Sequence, residues 1–342
     1  MPAGRSGESK TIMSDIHSLQ CSVVIRCRNE EQHIGRLLSG ILQQSVQSVE
    51  IIVVDSGSTD ATLSIAARYP VKILHIRPEE FSFGRSLNTG CQAARGEFIA
   101  IASAHVYPMY KDWLEKLLEP FSDPKVALVY GKQRGGGTTK YSEHQVFARW
   151  YPNQSRLSQN HPFCNNANAA VRRALWERLP YDETLTGLED IDYARRVMES
   201  GYRIAYAAEA EILHVHDETY NQIYNRYRRE AIAMKRIFPH DRFTLWDFTR
   251  LFTVNLVSDY RHARRERVLG QNLSSIFLFR LMQFWGTYRG FRQPSPVTDQ
   301  LRQTFYYPNS WKRSRPETAE LEQGRRIDYT GNPTEGEVDR DH

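Results

Sequence analysis

Gly187-Leu188-Glu189-Asp190-Ile191-Asp192 sets three carboxylates in a turn that feeds a helix. Acids at a helix start complement its dipole and cap free amides, which is a sufficient role for Asp192. Glu189 and Asp190, adjacent and just after a glycine, can instead present one carboxylate to a cleft as a general base. Spacing alone leaves both readings open. His214-Val215-His216-Asp217 closes an apolar run expected to be a strand, which puts the two imidazoles on one face as possible ligands for a divalent ion. His105 ends another such run. Asn165, Asn166 and Asn168 could bond sugar hydroxyls or form a polar turn. Asp55 ends the run Ile51 to Val54, where an acid could accept from a ribose or a base, whereas Asp60 reads as a helix cap.

These side chains need a frame that gathers strand ends. Both SVVIRCRNEEQHIGRLL from Ser22 and VEIIVVDSGSTDATLSIA from Val49 pass from a β-branched apolar run through a polar turn into a helix. The strand VKILHI, a helix over Arg85 to Ala94 and a strand over Phe98 to Ala102 continue the alternation. The pattern predicts an α/β domain with a mostly parallel, doubly wound sheet. Ligands bind such sheets beyond the carboxyl ends of the strands. A helix over Trp113 to Phe121 and a strand over Val126 to Tyr130 follow. Lys132 to Thr139 has three consecutive glycines but lacks the Lys-Ser/Thr ending of a phosphate loop, and reads as a mobile loop. After Phe163, short strands alternate with helices over Arg172 to Leu179 and Asp192 to Ser200. The expected division is a disordered tail over 1–18, a catalytic domain over 19–220, a helical extension over 221–292 and an irregular to disordered tail over 293–342.

The chain has 342 residues, 40% of them hydrophobic, with a net charge of +5 and pI near 8.9. This mild basicity suits an anionic small substrate or an anionic membrane face and is too weak to argue for nucleic acid, so no nucleic-acid partner is expected. Cys21, Cys27, Cys91 and Cys164 form neither a CxxC pair nor a zinc spacing, as expected of a reduced cytosolic chain. The polar first fifteen residues lack the apolar core of a signal peptide. The apolar stretch Ile276 to Trp285 is interrupted by Arg280 and is too short to span a bilayer, so the expectation is a soluble or peripheral protein. YNRYRREAIAMKRIF reads as a helix packed on the catalytic domain. FLFRLMQFWGTYRGFRQ, with Arg among aromatics, suits a membrane interface.

Taken in order from Cys21 to His216, these segments resemble the family 2 glycosyltransferases, which have the GT-A fold and invert the anomeric centre. SVVIRCRNEEQHIGRLL resembles the family's first strand and helix, IIVVDSGSTDAT its nucleotide-binding strand end, and GRSLNTGCQAARGEFI the helix leading to its metal motif. NNANAAVRR and LPYDETLTGLEDID resemble the acceptor-side segment and the Glu-Asp motif. The resemblance implies a nucleotide site drawn from Arg26, Asn29, Glu30, Asp55 and Ser58, with Arg85 and Asn88 near the diphosphate. It implies Asp190 as the base with Glu189 in support, and Asn165, Asn166 and Asn168 on the acceptor or sugar. Two departures stand out. Asp55-Ser56-Gly57-Ser58 lacks the second acid of the usual Asp-Asp-Gly-Ser, and the Asp-x-Asp metal motif falls on Ser103-Ala104-His105. His105 with His216 would then hold a divalent metal, Mn2+ in preference to Mg2+ because imidazole is the ligand; otherwise arginine and lysine neutralise the leaving group. The implied partners are a UDP-, dTDP- or GDP-linked sugar and a glycan or polyprenyl-linked acceptor. The implied setting is bacterial cell-surface polysaccharide synthesis at the cytoplasmic face of the inner membrane. A non-catalytic sugar-nucleotide-binding or assembly subunit is the rival reading. A nucleotidyltransferase would need a glycine-rich basic loop near RCRNEEQ, where there is no glycine run.

Overall fold

The β-branched runs become strands, buried except for the edge strand Val71–His75, and the amphipathic runs after them pack as helices on the sheet. The computed structural model describes residues 20–293 and Ile327. The expected tails over 1–18 and 293–342 lie outside the described residues, Gln293 and Ile327 apart. The elements are β1 (Cys21–Cys27), α1 (Ile34–Leu42), β2 (Val49–Asp55), α2 (Thr62–Ala66), β3 (Val71–His75), α3 (Phe83–Ala93), β4 (Phe98–Ser103), β5 (Val106–Pro108) and α4 (Trp113–Leu118). Then come β6 (Val126–Gly135), α5 (Tyr141–Trp150), β7 (Asn168–Arg172), α6 (Arg173–Trp176), α7 (Glu189–Glu199), β8 (Arg203–His214), α8 (Tyr220–Ile237), α9 (Leu245–Arg265) and α10 (Leu269–Phe291).

The eight strands form one sheet in the order β3-β2-β1-β4-β7-β6-β8-β5. Pairs β1–β2, β1–β4, β2–β3 and β6–β8 are parallel, while β7 and β5 run antiparallel to their neighbours. The register aligns the strand ends that matter. Cys27 pairs with Asp55, Arg26 with Ser103, and Ala102 with Asn168 at the start of β7. Gly135 pairs with His214. One edge of the sheet therefore collects the carboxyl ends of β1, β2, β4, β6 and β8, as a ligand cleft in an open α/β sheet requires. Successive residues of β1 serve two cores. Val23 and Ile25 pack with Leu37, Leu38 and Trp113 on one face, and Val24 packs with Leu87, Ile101 and Tyr193 on the other.

One expectation is corrected. Lys132 to Gly135 is the end of β6 and not a mobile loop; only Gly136 to Thr139 turns, closed by Thr139 N–H to Gly136 O (3.1 Å) and Gly136 N–H to Thr139 Oγ1 (3.0 Å). Glycine here serves close packing. A Cβ at Gly131 would lie 2.3 Å from both Ala210 O and the Asn168 amide nitrogen, which itself bonds the Ala210 and Lys132 carbonyls across an irregularity in the β6–β8 register.

Helices α8 and α9 each start with a capping box, Thr219 with Gln222 and Thr244 with Asp247. Helix α10 lies against α8 at Gly290, where a Cβ would sit 2.5 Å from Arg228 O. A buried ion pair joins α9 to α10: Arg280 donates to both oxygens of Asp259 at 2.7 and 2.9 Å, and it reaches Ser142 O of α5 at 3.4 Å. No helix among the described residues is long and apolar enough to cross a membrane.

Candidate active site

The cleft begins with two strand-end loops bound to each other. Asn29 adopts a left-handed backbone (φ 54°), a conformation asparagine tolerates. Its N–H donates to Ser58 Oγ (2.9 Å) and its Oδ1 accepts from Thr59 N–H (2.8 Å). Glu30 N–H donates to Thr62 Oγ1 at 2.7 Å. The Asp55 carboxylate turns into its own loop and accepts from Gly57 N–H (3.0 Å) and Ser58 N–H (3.2 Å), leaving the residue 2% exposed. In this structure Asn29, Asp55 and Ser58 hold the two loops together. Short polar side chains outcompete solvent for backbone amides two or three residues on.

Asp190 lies in the first turn of α7, just after Leu188 in a left-handed conformation (φ 55°). Its Oδ1 accepts from its neighbour Ile191 N–H (2.8 Å) and its Oδ2 from Asn166 N–H (3.3 Å). Burial, and then the charge of Glu189, push this carboxyl up to about 7, against the pull of those amides and of Arg26. Glu189 is itself paired with Arg26 at 3.2 Å. The Arg26 guanidinium also stacks on the Phe83 ring at 4.9 Å, and Arg229 stacks on the same ring at 4.8 Å. Beside Asp190, the buried Asn166 Nδ2 has no hydrogen-bond partner among the described residues.

On the other side of the cleft, His105, His214 and His216 bring a ring nitrogen each to within 4.8 Å of one another. Every Nδ1 has an acceptor: Glu30 Oε1 for His105 (2.9 Å), Gln133 Oε1 for His214 (2.8 Å) and Glu143 Oε1 for His216 (2.7 Å). The Gln133 orientation is fixed independently. Its Nε2 donates to Asn165 Oδ1 (3.0 Å), and that oxygen is identified by a second donor, Ala167 N–H (2.9 Å). His214 therefore carries its proton on Nδ1, and its Nε2 lone pair faces His216 Nε2 at 3.0 Å. Two lone pairs so close repel unless a cation or a proton lies between them. Burial, followed by the charges of His216 and His105, holds His214 well below the ordinary imidazole range, so it stays neutral. A metal ion satisfies this donor set: convergent Nε2 atoms, each ring oriented through Nδ1 by an outer acceptor.

The remaining expected residues fall as follows. Arg26 sits between the two halves of the site, since its charge acts on both Asp190 and His105. Glu30 orients His105. Asn165 orients Gln133. Arg85 is exposed, 3.8 Å from Glu80. Asn88 donates to Tyr181 O and Glu183 and accepts from Trp176 Nε1 and Tyr181 N–H. Asn168, with no exposed surface, likewise holds β6, β8 and the Trp113 indole in place and has nothing left for a sugar. The structure adds residues the sequence reading passed over. His214 had been noted in the pair but left out of the ligand set, although the His-x-His spacing marked it. Gln133, Glu143 and Phe83 come from separate elements and carry no local signal. Glu143 is buried, yet Arg226 and His216 hold its carboxyl down to about 2 in spite of that burial.

Residues 22–179 match the family model "Glycosyl transferase family 2". The chain is 31% identical to an O-antigen chain rhamnosyltransferase of Salmonella anatum over 204 residues, 54% of this chain and 62% of that protein. It is 26% identical to an O-antigen chain rhamnosyltransferase of Salmonella typhimurium over 61% of this chain and 70% of that one. Among solved structures, a mannosyltransferase from Pyrobaculum calidifontis in complex with GDP-Man and Mn2+ shares the fold. Its TM-score is 0.54 at 19% identity, covering 85% of this chain and 88% of that one. The doubly wound sheet is thus the GT-A architecture, and over residues 22–179 the chain is similar to the glycosyl transferase family 2 model.

Proposed function

We propose that the chain is an inverting glycosyltransferase, with Asp190 as the general base. The observation that carries this reading is the buried Asp190 carboxyl, pushed up to about 7, with Arg26 acting both on it and on His105 of three converging imidazoles. A base with that affinity is half deprotonated near neutral pH, where it also has driving force to take a proton. Asp190 accepts the proton of the acceptor hydroxyl as that oxygen bonds the anomeric carbon from the face opposite the leaving group. The bond from that carbon to the diphosphate breaks, and the nucleoside diphosphate leaves with the electron pair. The amides of Ile191 and Asn166 orient the carboxylate, and the unpartnered Asn166 amide is placed to bond a sugar or acceptor hydroxyl. Arg26, fixed by Glu189 and Phe83, supplies positive charge between base and histidines.

His105, His214 and His216 would hold a divalent ion, Mn2+ in preference to Mg2+ for a nitrogen donor set. When bound, such an ion would offset the charge developing on the diphosphate. A nucleotide-sugar donor is supported by the GT-A architecture shared with the Pyrobaculum mannosyltransferase. The two Salmonella relatives support a glycan or polyprenyl-linked acceptor in bacterial cell-surface polysaccharide synthesis. In this reading residues 19–220 form the catalytic domain, working in the cytoplasm, and 221–292 form a helical extension.

The test is release of nucleoside diphosphate from UDP-, dTDP- and GDP-sugars, with Mn2+, Mg2+ or EDTA, for wild type, Asp190→Asn and His105→Ala. Slow hydrolysis of one donor, lost in both variants and in EDTA, is the expected result. Turnover surviving EDTA removes the metal from the proposal, and failure to bind any nucleotide sugar removes the transferase.

A further inference from the structure

Helices α9 and α10 leave an apolar surface uncovered among the described residues: Trp246 is 73% exposed and Val254 59%, with Val257 beside them. Trp246, Arg250, Val254, Val257, Arg261 and Arg264 recur at spacings of three and four, so they lie along one face of α9. The buried residues of that helix, Asp259 and Ala263, occupy the opposite face. Of the two acids of α9, only Asp247 lies near the stripe, where it feels the charge of Arg250. Asp247 is held in the N-terminal capping box, and Asp259 is buried in its ion pair with Arg280. Helix α10 contains no acid, and its exposed Phe277 and Trp285 pack edge-on against Phe252 and Phe248 of α9, at 5.6 and 5.7 Å. Residues 245–292 hold eight arginines and three acids, a surplus equal to the net charge of the entire chain.

We propose that this α9 face docks on a bilayer containing anionic lipid. The side-chain chemistry selects that occupant. Tryptophan and valine enter the headgroup–acyl boundary, while arginines on the same stripe meet lipid phosphates. A second copy of the chain is disfavoured by the same charges, because an isologous contact through this face sets arginine against arginine. The binding itself is independent of the transferase reading. Only its purpose, bringing the cleft to a lipid-linked acceptor, rests on that reading.

The experiment is flotation of the full chain with vesicles of phosphatidylcholine alone, or with about one third phosphatidylglycerol. Three triple variants are compared with wild type: Trp246→Ser/Val254→Ser/Val257→Ser, Arg250→Gln/Arg261→Gln/Arg264→Gln, and a control removing exposed arginines of the catalytic domain, Arg95→Gln/Arg134→Gln/Arg178→Gln. Wild type is expected to float with the anionic vesicles only, and less so as salt rises. The α9 arginine variant should lose on the order of a hundredfold in affinity, from three phosphate contacts. The apolar variant should stay in the bottom fraction, and the control should bind as wild type does. Hydrolysis of nucleotide sugar without vesicles should be unchanged in both α9 variants. Wild type that does not float overturns the proposal, as does a control that weakens as much as the α9 arginine variant. A dimer detected by light scattering and abolished by the apolar variant would assign the surface to a second copy. Loss of the transferase reading would show in wild-type hydrolysis, a separate readout.

Discussion

Replacing Asp190 by Asn should stop the reaction and stabilise the protein, two effects with one electrostatic origin. Burial and Glu189 raise the Asp190 carboxyl from 3.8 to about 7. Between those values the folded protein holds a proton that the unfolded chain has released, so stability falls as pH rises, by about 1.4 kcal/mol per unit. Over that interval the ionised side chain costs about 4 kcal/mol. Asparagine removes the charge and keeps one acceptor for Ile191 N–H, but its NH2 group confronts Asn166 N–H, a loss of about 1 kcal/mol. A net gain of about 3 kcal/mol remains at pH 8, a rise in Tm of about 6 °C at roughly 2 °C per kcal/mol for a chain this large. Near pH 4, where wild-type Asp190 is protonated, the gain should vanish. Thermal melts of both proteins from pH 4 to pH 8, beside nucleotide-sugar turnover, check this. Turnover should drop by about 10²- to 10⁴-fold, the range for loss of a general base. Melting curves that differ by the same amount at both pH values would refute the electrostatic argument. Retained turnover would refute the assignment of Asp190 as base.

The other expectations concern the surroundings of that carboxyl. Glu189→Gln removes the neighbouring charge that helps to raise Asp190, so the rising limb of the pH–rate profile should move toward acid; a profile that stays in place breaks the coupling. His214→Ala should weaken Mn2+ binding, measured by calorimetry or EPR, by at least about a hundredfold, and unaltered binding would confine the ligand set to His105 and His216. Glu143→Gln removes the charge paired with Arg226 and leaves His216 only a neutral acceptor, and should cost about 3 kcal/mol in denaturant unfolding at pH 7. Because the Glu143 carboxyl is held down to about 2, that difference is present above about pH 4.5 and fades as pH falls toward 2. Gly290→Ala should destabilise by about 1–3 kcal/mol, since its Cβ would lie 2.5 Å from Arg228 O; an unchanged unfolding midpoint would mean that α10 is not held against α8 there.

The sequence by itself determined the parts of this protein that depend on neighbours along the chain. Alternating β-branched runs and amphipathic helices specify a doubly wound sheet, and a parallel sheet sends its strand ends to one edge. That puts Asp55 and His105 at the edge where the strand ends gather, whereas the role of the Glu189-Asp190 turn came from the family resemblance. Lys132 to Gly135 reads as a loop because of the three glycines at 135–137, whereas it is a strand because Gln133 to Gly135 pair with Ile212 to His214 of β8, far along the chain. Only the tertiary structure decided which polar residues are available. Asn88 and Asn168 look like Asn165 and Asn166 in sequence, yet their amides are consumed by carbonyls and indoles of distant elements, while Asn166 keeps a free buried donor. It also decided chemical state. The affinity of Asp190 for its proton follows from burial, and the tautomer of His214 from a relay through Gln133 to Asn165, neither of which is encoded in local spacing. Propensity and periodicity act over a few residues, whereas desolvation and hydrogen-bond saturation arise only where remote segments meet.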